Sequence, residues 1–237
     1  RELLSIHDAS LWALPGVLLR NNIEIKTGNI DDAITQFYDH VENHPNNAYL
    51  YKELGDLYRR QQQYEKARDS YLQAEARGFD TASLYRNLAI CHERLKEDRQ
   101  AEANFKAALQ RNPNVPFTLN YLGYWWAESG RHLDQAIRLI EQAVRLRPNS
   151  GFFVDSLGWV HYQLGNYQVA VEFLEKATVL EPEDPLIISH LGDAYWKTER
   201  YSEAQFKWRY AALLTNDDNL HADLQTKLTL GLPAVGQ

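Results

Sequence analysis

The sequence predicts an all-α fold, a stack of about six helix-turn-helix repeats closed by one more helix at the C-terminus. Three observations carry this. A leucine followed by a small residue recurs at Leu54, Leu88, Leu122, Leu157 and Leu191, in steps of 34, 34, 35 and 34 residues. Alanines follow in phase at Ala67, Ala101, Ala136, Ala170 and Ala204, and again at Ala74, Ala108, Ala143, Ala177 and Ala211. Prolines or turn residues then close the units, at Pro113, Pro148 and Pro182, with Phe79 in the same place one unit earlier. Between these marks apolar residues recur three and four apart, which is the helical period. A two-helix unit this short cannot bury its own apolar face, so it stacks on its neighbours.

Taken in order, residues 1–13, beginning "RELLSIHDASLW", carry no clean pattern and read as an N-terminal remnant or cap. Residues 14–214 form the repeat array, with units near 14–47, 48–81, 82–115, 116–150, 151–184 and 185–214. The first unit is degenerate. Gly28, Ala33, Phe37 and Pro45 fit their slots, but Arg20 holds the leucine slot and His40 an alanine slot. The turns "RQQQYEKA", "LKEDRQA", "ESGRHLDQA", "LGNYQVA" and "TERYSEA" divide the next five units into two helices each. The third of these turns is one residue longer, which accounts for the single step of 35. Proline falls at or before the start of the following pair, where a missing N–H costs least. In residues 215–237, Leu220, Leu224 and Leu228 lie four apart. Asp217 or Asp218 is placed to cap them, and Gly231 and Pro233 stop the helix. This is the solvating end helix that a stack of repeats requires, followed by a tail.

Composition narrows the function. The chain has 237 residues, 24% of them charged, with a net charge of -7. That balance argues against nucleic-acid binding, which needs a clustered basic field. No run of 18 apolar residues exists, so no segment is expected to span a membrane. With Cys91 the one cysteine, neither an internal disulfide nor a zinc cluster is expected. A start at Arg1 and the absence of methionine read as a processed product or a cut fragment.

Catalytic chemistry is not expected either. Cys91 occupies a core slot, which favours an inert thiol over a nucleophile. "CHERLK" begins like a zinc-protease helix, but Lys96 stands where the second histidine is needed. His40 and His44 are four apart and lack a placed third ligand. The glycines form no phosphate-cradling loop. The expectation is no enzyme, no cofactor and no bound metal.

The opposite faces of the first helices are more informative. With each repeat leucine at zero and about 100° added per residue, the apolar arc of the Leu54 helix holds Leu50, Tyr51, Leu54, Leu57 and Tyr58. Lys52, Asp56 and Arg59 lie on the far face. In "NYLGYWWAESG" the same wheel sends Trp126 and Trp125 to the core and Tyr124 to the far face. An amphipathic helix is polar there. The early units obey, with Lys52, Arg59 and Arg60 on one helix and Arg86, Glu93 and Arg94 on the next. The later units place Phe117, Tyr124, Phe152, Trp159, Tyr162, Leu186 and Trp196 on it. Exposed aromatic and arginine side chains are common anchors for a partner. Trp159 is expected to lie open enough that its removal leaves folding nearly intact.

With Leu-Gly, Tyr, Ala, an aromatic, Ala and Pro in this order over residues 14 to 214, the chain resembles the tetratricopeptide repeat (TPR) family. Ala89 for a glycine, His40 for an alanine and Phe79 for a proline are its departures. The resemblance implies a right-handed α-solenoid whose far faces line a concave groove for peptides. Phe117, Tyr124, Phe152, Trp159, Tyr162 and Trp196, with Lys52, Arg59, Arg60, Arg86 and Arg94, are the expected partner-binding residues. The Lys and Asn clamp with which some members grip a chain end is not reproduced. The expected function is a noncatalytic protein–protein interaction adaptor. The alternatives are a scaffold that self-assembles as a homo-oligomer, or a regulatory adaptor subunit of a bacterial envelope protease. The last follows from "NSGFFVDSLGWVHYQLGNYQVAVEFLEKA" and the ending "KLTLGLP", which are similar to C-terminal repeats of long bacterial cell-envelope proteins and lipoprotein adaptors. That similarity implies the bacterial cell envelope or periplasm, with the cytoplasm as the alternative.

Overall fold

The structure, a computed structural model, describes residues 30–233. Among the described residues there are twelve α-helices and no strand. They are α1 (Ile30–Asn43), α2 (Ala48–Arg60), α3 (Tyr64–Ala76), α4 (Ala82–Arg94), α5 (Asp98–Arg111), α6 (Pro116–Glu128), α7 (Leu133–Leu146), α8 (Gly151–Gln163), α9 (Tyr167–Leu180), α10 (Pro185–Lys197), α11 (Tyr201–Leu214) and α12 (Asp218–Leu230). The chain divides into two compact units, Arg1–Arg111 and Asn112–Gln237. In the first, α2 pairs with α3 and α4 with α5. In the second, α6 pairs with α7, α8 with α9 and α10 with α11, and α12 packs on α11. This is the helix-turn-helix repeat pattern that the leucine spacing predicts. The segment 1–13, the Arg20 slot of the degenerate repeat and the tail after Pro233 lie outside the described residues.

The helix starts follow from side-chain chemistry. The carboxamide or hydroxyl oxygens of Asn47 and Thr81 accept the N–H groups of Tyr49 and Leu84, at 3.1 and 3.3 Å. Asp184 caps α10 by accepting from Leu186 and Ile187, and Asp217, rather than Asp218, caps α12. Each accepts N–H groups that have no partner within the helix. Pro116 and Pro185 stand in the first turns of α6 and α10.

The two alanine positions per repeat are where helices touch. All ten alanines marked in the sequence are fully buried. The repeat glycine has the same purpose on the opposing helix. A Cβ added at Gly192 of α10 would lie 2.5 Å from the Trp208 indole of α11, a separation that atoms do not adopt.

One residue in every first-to-second turn takes a left-handed backbone: Gln62 (φ 59°), Lys96 (63°), Gly130 (63°), Gly165 (78°) and Glu199 (64°). The long turn after α6 has a second one, His132 at φ 50°. The extra residue is therefore absorbed before α7 begins. Ala136, Ile140 and Ala143 remain fully buried beyond it.

Within each unit this packing sets first helices side by side. α2 adjoins α4, α6 adjoins α8, and α8 adjoins α10. Their far faces carry the residues singled out above.

Candidate functional site

In the C-terminal unit the far face begins with a row of open apolar side chains. Phe117, Phe152 and Leu186 stand in the first turns of α6, α8 and α10, exposed by 54%, 53% and 44%. They occur once per repeat at the same place, five residues before the repeat leucine. Phe117 is held edge-on to Phe153 at 5.4 Å, with the Arg147 guanidinium 4.9 Å from its ring centre.

Further along the same helices the aromatics are covered, contrary to the sequence expectation. Trp159 is only 9% exposed. Its indole lies between Tyr162, stacked at 4.7 Å, and His190 of the next repeat, stacked at 4.1 Å. Its Nε1–H donates to the Glu128 carboxylate from the preceding repeat. The wheel treats a helix as isolated, whereas here the repeats on both sides close over the ring. Trp196 departs likewise. It is half-buried against Tyr201 at 4.7 Å and Trp208 at 5.2 Å, and the chain leaving α12 at Gly231 runs against its indole. Tyr124 and Tyr162 are half-buried. Burial first, then the Glu128 and Asp155 carboxylates, holds the Tyr124 hydroxyl far above its usual pKa. Trp126 is core as expected, 3% exposed, whereas Trp125 is half-buried under the Arg131 guanidinium, 4.7 Å from its ring.

Beneath this floor lies a polar network that the wheel missed. Buried His190 meets buried Asp155, Nδ1 to Oδ1, at 2.9 Å. Burial opposes charge on His190, but Asp155, then Asp193 and Glu128, raise its pKa above the ordinary value. Asp193 Oδ1 accepts from Trp208 Nε1 at 2.8 Å, and Oδ2 pairs with Lys227 Nζ of α12 at 2.9 Å. Lys227 also pairs with Asp223 at 2.8 Å. Spacing gave little signal: Asp155 and His190 lie 35 residues apart, one more than the 34-residue step from Leu157 to Leu191.

A raised histidine pKa makes the pair stabilising while the imidazole is charged. Its contribution is complete below about pH 6.5, the unfolded value, and is lost as pH rises through the higher folded value. His190→Gln should therefore lower the melting temperature most in acid, and the deficit should shrink toward alkaline pH. Melts of both proteins across that range check this; a deficit independent of pH refutes it.

In the N-terminal unit the cations separate into two kinds. Lys52 Nζ pairs with Glu53 at 2.8 Å and Asp56 at 2.9 Å. Arg94 is exposed and lies 3.3 Å from the Glu93 carboxylate, and Arg60 is exposed. Arg59 and Arg86 are half-buried. Between them Asp56 Oδ1 accepts from the Tyr71 hydroxyl at 2.6 Å and from the Asn87 amide at 2.8 Å. Nearby Cys91 is fully buried, and burial pushes its thiol pKa up to about 12. A thiol so held is a poor nucleophile at neutral pH. Among the described residues no group of three or more His, Cys, Asp or Glu side chains comes together as a metal site, and no helix is long and apolar enough to cross a membrane.

Comparison with known proteins agrees with this architecture. Two family models, each described as tetratricopeptide repeat, match residues 22–83 and 52–116 and residues 155–184. The chain is 26% identical over 181 residues to a TPR repeat-containing protein of Pseudomonas aeruginosa, across 76% of this chain and 30% of that protein. It is 30% identical over 129 residues to the photosystem I assembly protein Ycf3 of a Synechococcus strain, across 48% of this chain and 73% of that one. The chain thus spans under a third of the Pseudomonas relative and about three quarters of the cyanobacterial one. Among solved structures, a tetratricopeptide repeat protein from Parabacteroides merdae superposes with a TM-score of 0.77 at 17% identity, covering 92% of this chain and 86% of that one.

Proposed function

The chain belongs to the tetratricopeptide repeat family, and on that premise we propose that it is a noncatalytic adaptor that holds a segment of a partner protein against the far face of its C-terminal unit. The observation that supports this reading is the row Phe117, Phe152 and Leu186, open to solvent once per repeat. Packed helices stand about 8–10 Å apart, and a chain in the extended polyproline II form, three residues to the turn, advances about 9 Å per turn and returns every third side chain to the same face. An extended segment with apolar side chains at every third position therefore meets one member of the row at each repeat. Tyr124 and Tyr162, half-buried beside it, offer hydroxyls to the segment's backbone, and Trp159 serves as the floor rather than as the anchor.

The test is affinity capture from a bacterial lysate with the native chain and with Phe117→Ser/Phe152→Ser/Leu186→Ser. Loss of about 2 kcal/mol or more is expected, the hot-spot range, or about thirtyfold in Kd, with the melting temperature little changed. Arg138→Ala, on α7, serves as the control. A partner retained at full affinity by the triple variant refutes the reading.

Self-assembly is the second reading. It is supported by α11, where Phe206 and Leu213 are exposed by 63% and 83% on a face that other second helices keep mainly polar. Light scattering across a concentration series separates the two, since a monomer at high concentration rules assembly out. An envelope location and a regulatory place beside a processing protease form an alternative proposal, resting on the sequence resemblance of the C-terminal repeats alone. Fractionation of the native cells tests them.

A further inference from the structure

We propose that the N-terminal unit carries a site for one aromatic ring, the indole of a partner protein's tryptophan, in the cavity between α1, α2 and α3. The cavity lies between the second helices α1 and α3, not on the far face of a first helix. It is separate from the apolar row and does not depend on the reading given for it.

The cavity holds about 250 Å³. Leu54 and Tyr58, from the apolar arc of α2, form its floor. Tyr38 and Val41 of α1 stand on one side and Ser70 of α3 on the other, with Lys66 at the rim. An apolar cavity of about 150 Å³ takes a benzene ring, so this one is large enough for an indole.

The class of ligand follows from a later repeat, where the equivalent place is filled from within the chain. Ser70 stands three residues after Ala67, and Phe173 stands three residues after Ala170, the alanine of the same slot. Phe173 is stacked on His161, with ring centres 5.5 Å apart and planes within 5°. His161 holds the slot of Tyr58, four residues after the repeat leucine. Phe173 also packs in one cluster with Val144, the counterpart of Val41. The two places thus match slot for slot, except that a serine in α3 replaces the phenyl ring of α9. In α7 the same slot holds Leu139.

The walls suit a ring. The Ser70 hydroxyl donates to the Lys66 carbonyl at 2.8 Å, so it turns no unpaired polar group toward an apolar occupant. Tyr38, where α7 has Glu141, meets Tyr58 edge-on at 6.5 Å and is 48% exposed. A third ring can join this pair edge-to-face or offset-stacked. Lys66 is exposed, and its Nζ lies 5.4 Å from the Tyr58 ring centre. A bound indole offers that ammonium a second π face.

The experiment titrates the full chain with N-acetyl-tryptophanamide and, separately, with N-acetyl-leucinamide. The methyl resonances of Val41 and Leu54 are the readout. The tryptophan probe should shift both and saturate, with a Kd lower than that of the leucine probe by about tenfold or more. Ser70→Phe should abolish the shift and raise the melting temperature, because it supplies the ring from within. If Ser70→Phe does not fold, Ser70→Leu, which copies α7, decides instead and should weaken binding by about tenfold. Absence of a saturable shift, equal binding of the two probes, or full affinity in the folded Ser70 variant overturns the proposal. Trp12→Ala removes the chain's own tryptophan from the residues before α1. A shift that appears only in Trp12→Ala shows that the chain fills the cavity itself, and this too overturns the partner site.

Discussion

Replacing Trp159 with alanine is expected to cost about 3–5 kcal/mol of stability, the range for a large buried aromatic. The indole is stacked on both faces and donates its N–H to Glu128. Removing it opens a cavity between α8 and α10, exposes His190 and leaves Glu128 without its donor, so the loss exceeds that of apolar area alone. Because each repeat is stabilised mainly by its neighbours, α6 and α10 should both loosen. Denaturant unfolding followed by hydrogen exchange within the C-terminal unit reads this out. Phe152→Ala, on the same helix but 53% exposed, should cost under about 1 kcal/mol. If the two variants were equally mild, the covered floor described here would be wrong.

Lys227→Met should have an effect of similar size for a different reason. Asp193 is buried and relies on Lys227 as its counter-charge. Deleting one member of a buried pair leaves the other unpaired, at about 3–5 kcal/mol. α12 should detach from α10 as the charge draws water in. The double variant Lys227→Met/Asp193→Asn should recover most of the loss, since the amide oxygen can still accept from Trp208 and the carboxylate left over, Asp223, is half-exposed. Thermal melts of the single and double variants decide the matter. A double variant as unstable as the single one would show that the loss comes from packing of the lysine stem.

The helix pairs, their alanine contacts and the core place of Trp126 were legible in the sequence because each depends on period and volume along one or two neighbouring helices. The open row was legible too: Phe117, Phe152 and Leu186 sit in first turns, where neighbouring side chains leave about half of each exposed. Trp159 and Trp196 were not legible. They share the far-face arc, but their exposure is decided by side chains one repeat away, His190 and Glu128 for the first, and by the chain leaving α12 for the second. The basic residues show the same limit. Nothing in the spacing separates exposed Arg60 and Arg94 from half-buried Arg59 and Arg86.

The second left-handed residue, His132, bears on how this chain tolerates changes in length. A register of 34 residues suggests that an insertion must throw every later contact out of phase. The α6–α7 turn shows otherwise, since one added residue is taken up by a single backbone reversal and Ala136, Ile140 and Ala143 still reach the core. What this turn preserves is the burial of the following helix's core face, not the residue count. Inserted peptide tags and fluorophore-bearing residues are thus best tolerated at Gly130–His132, at the seam between helices rather than within them.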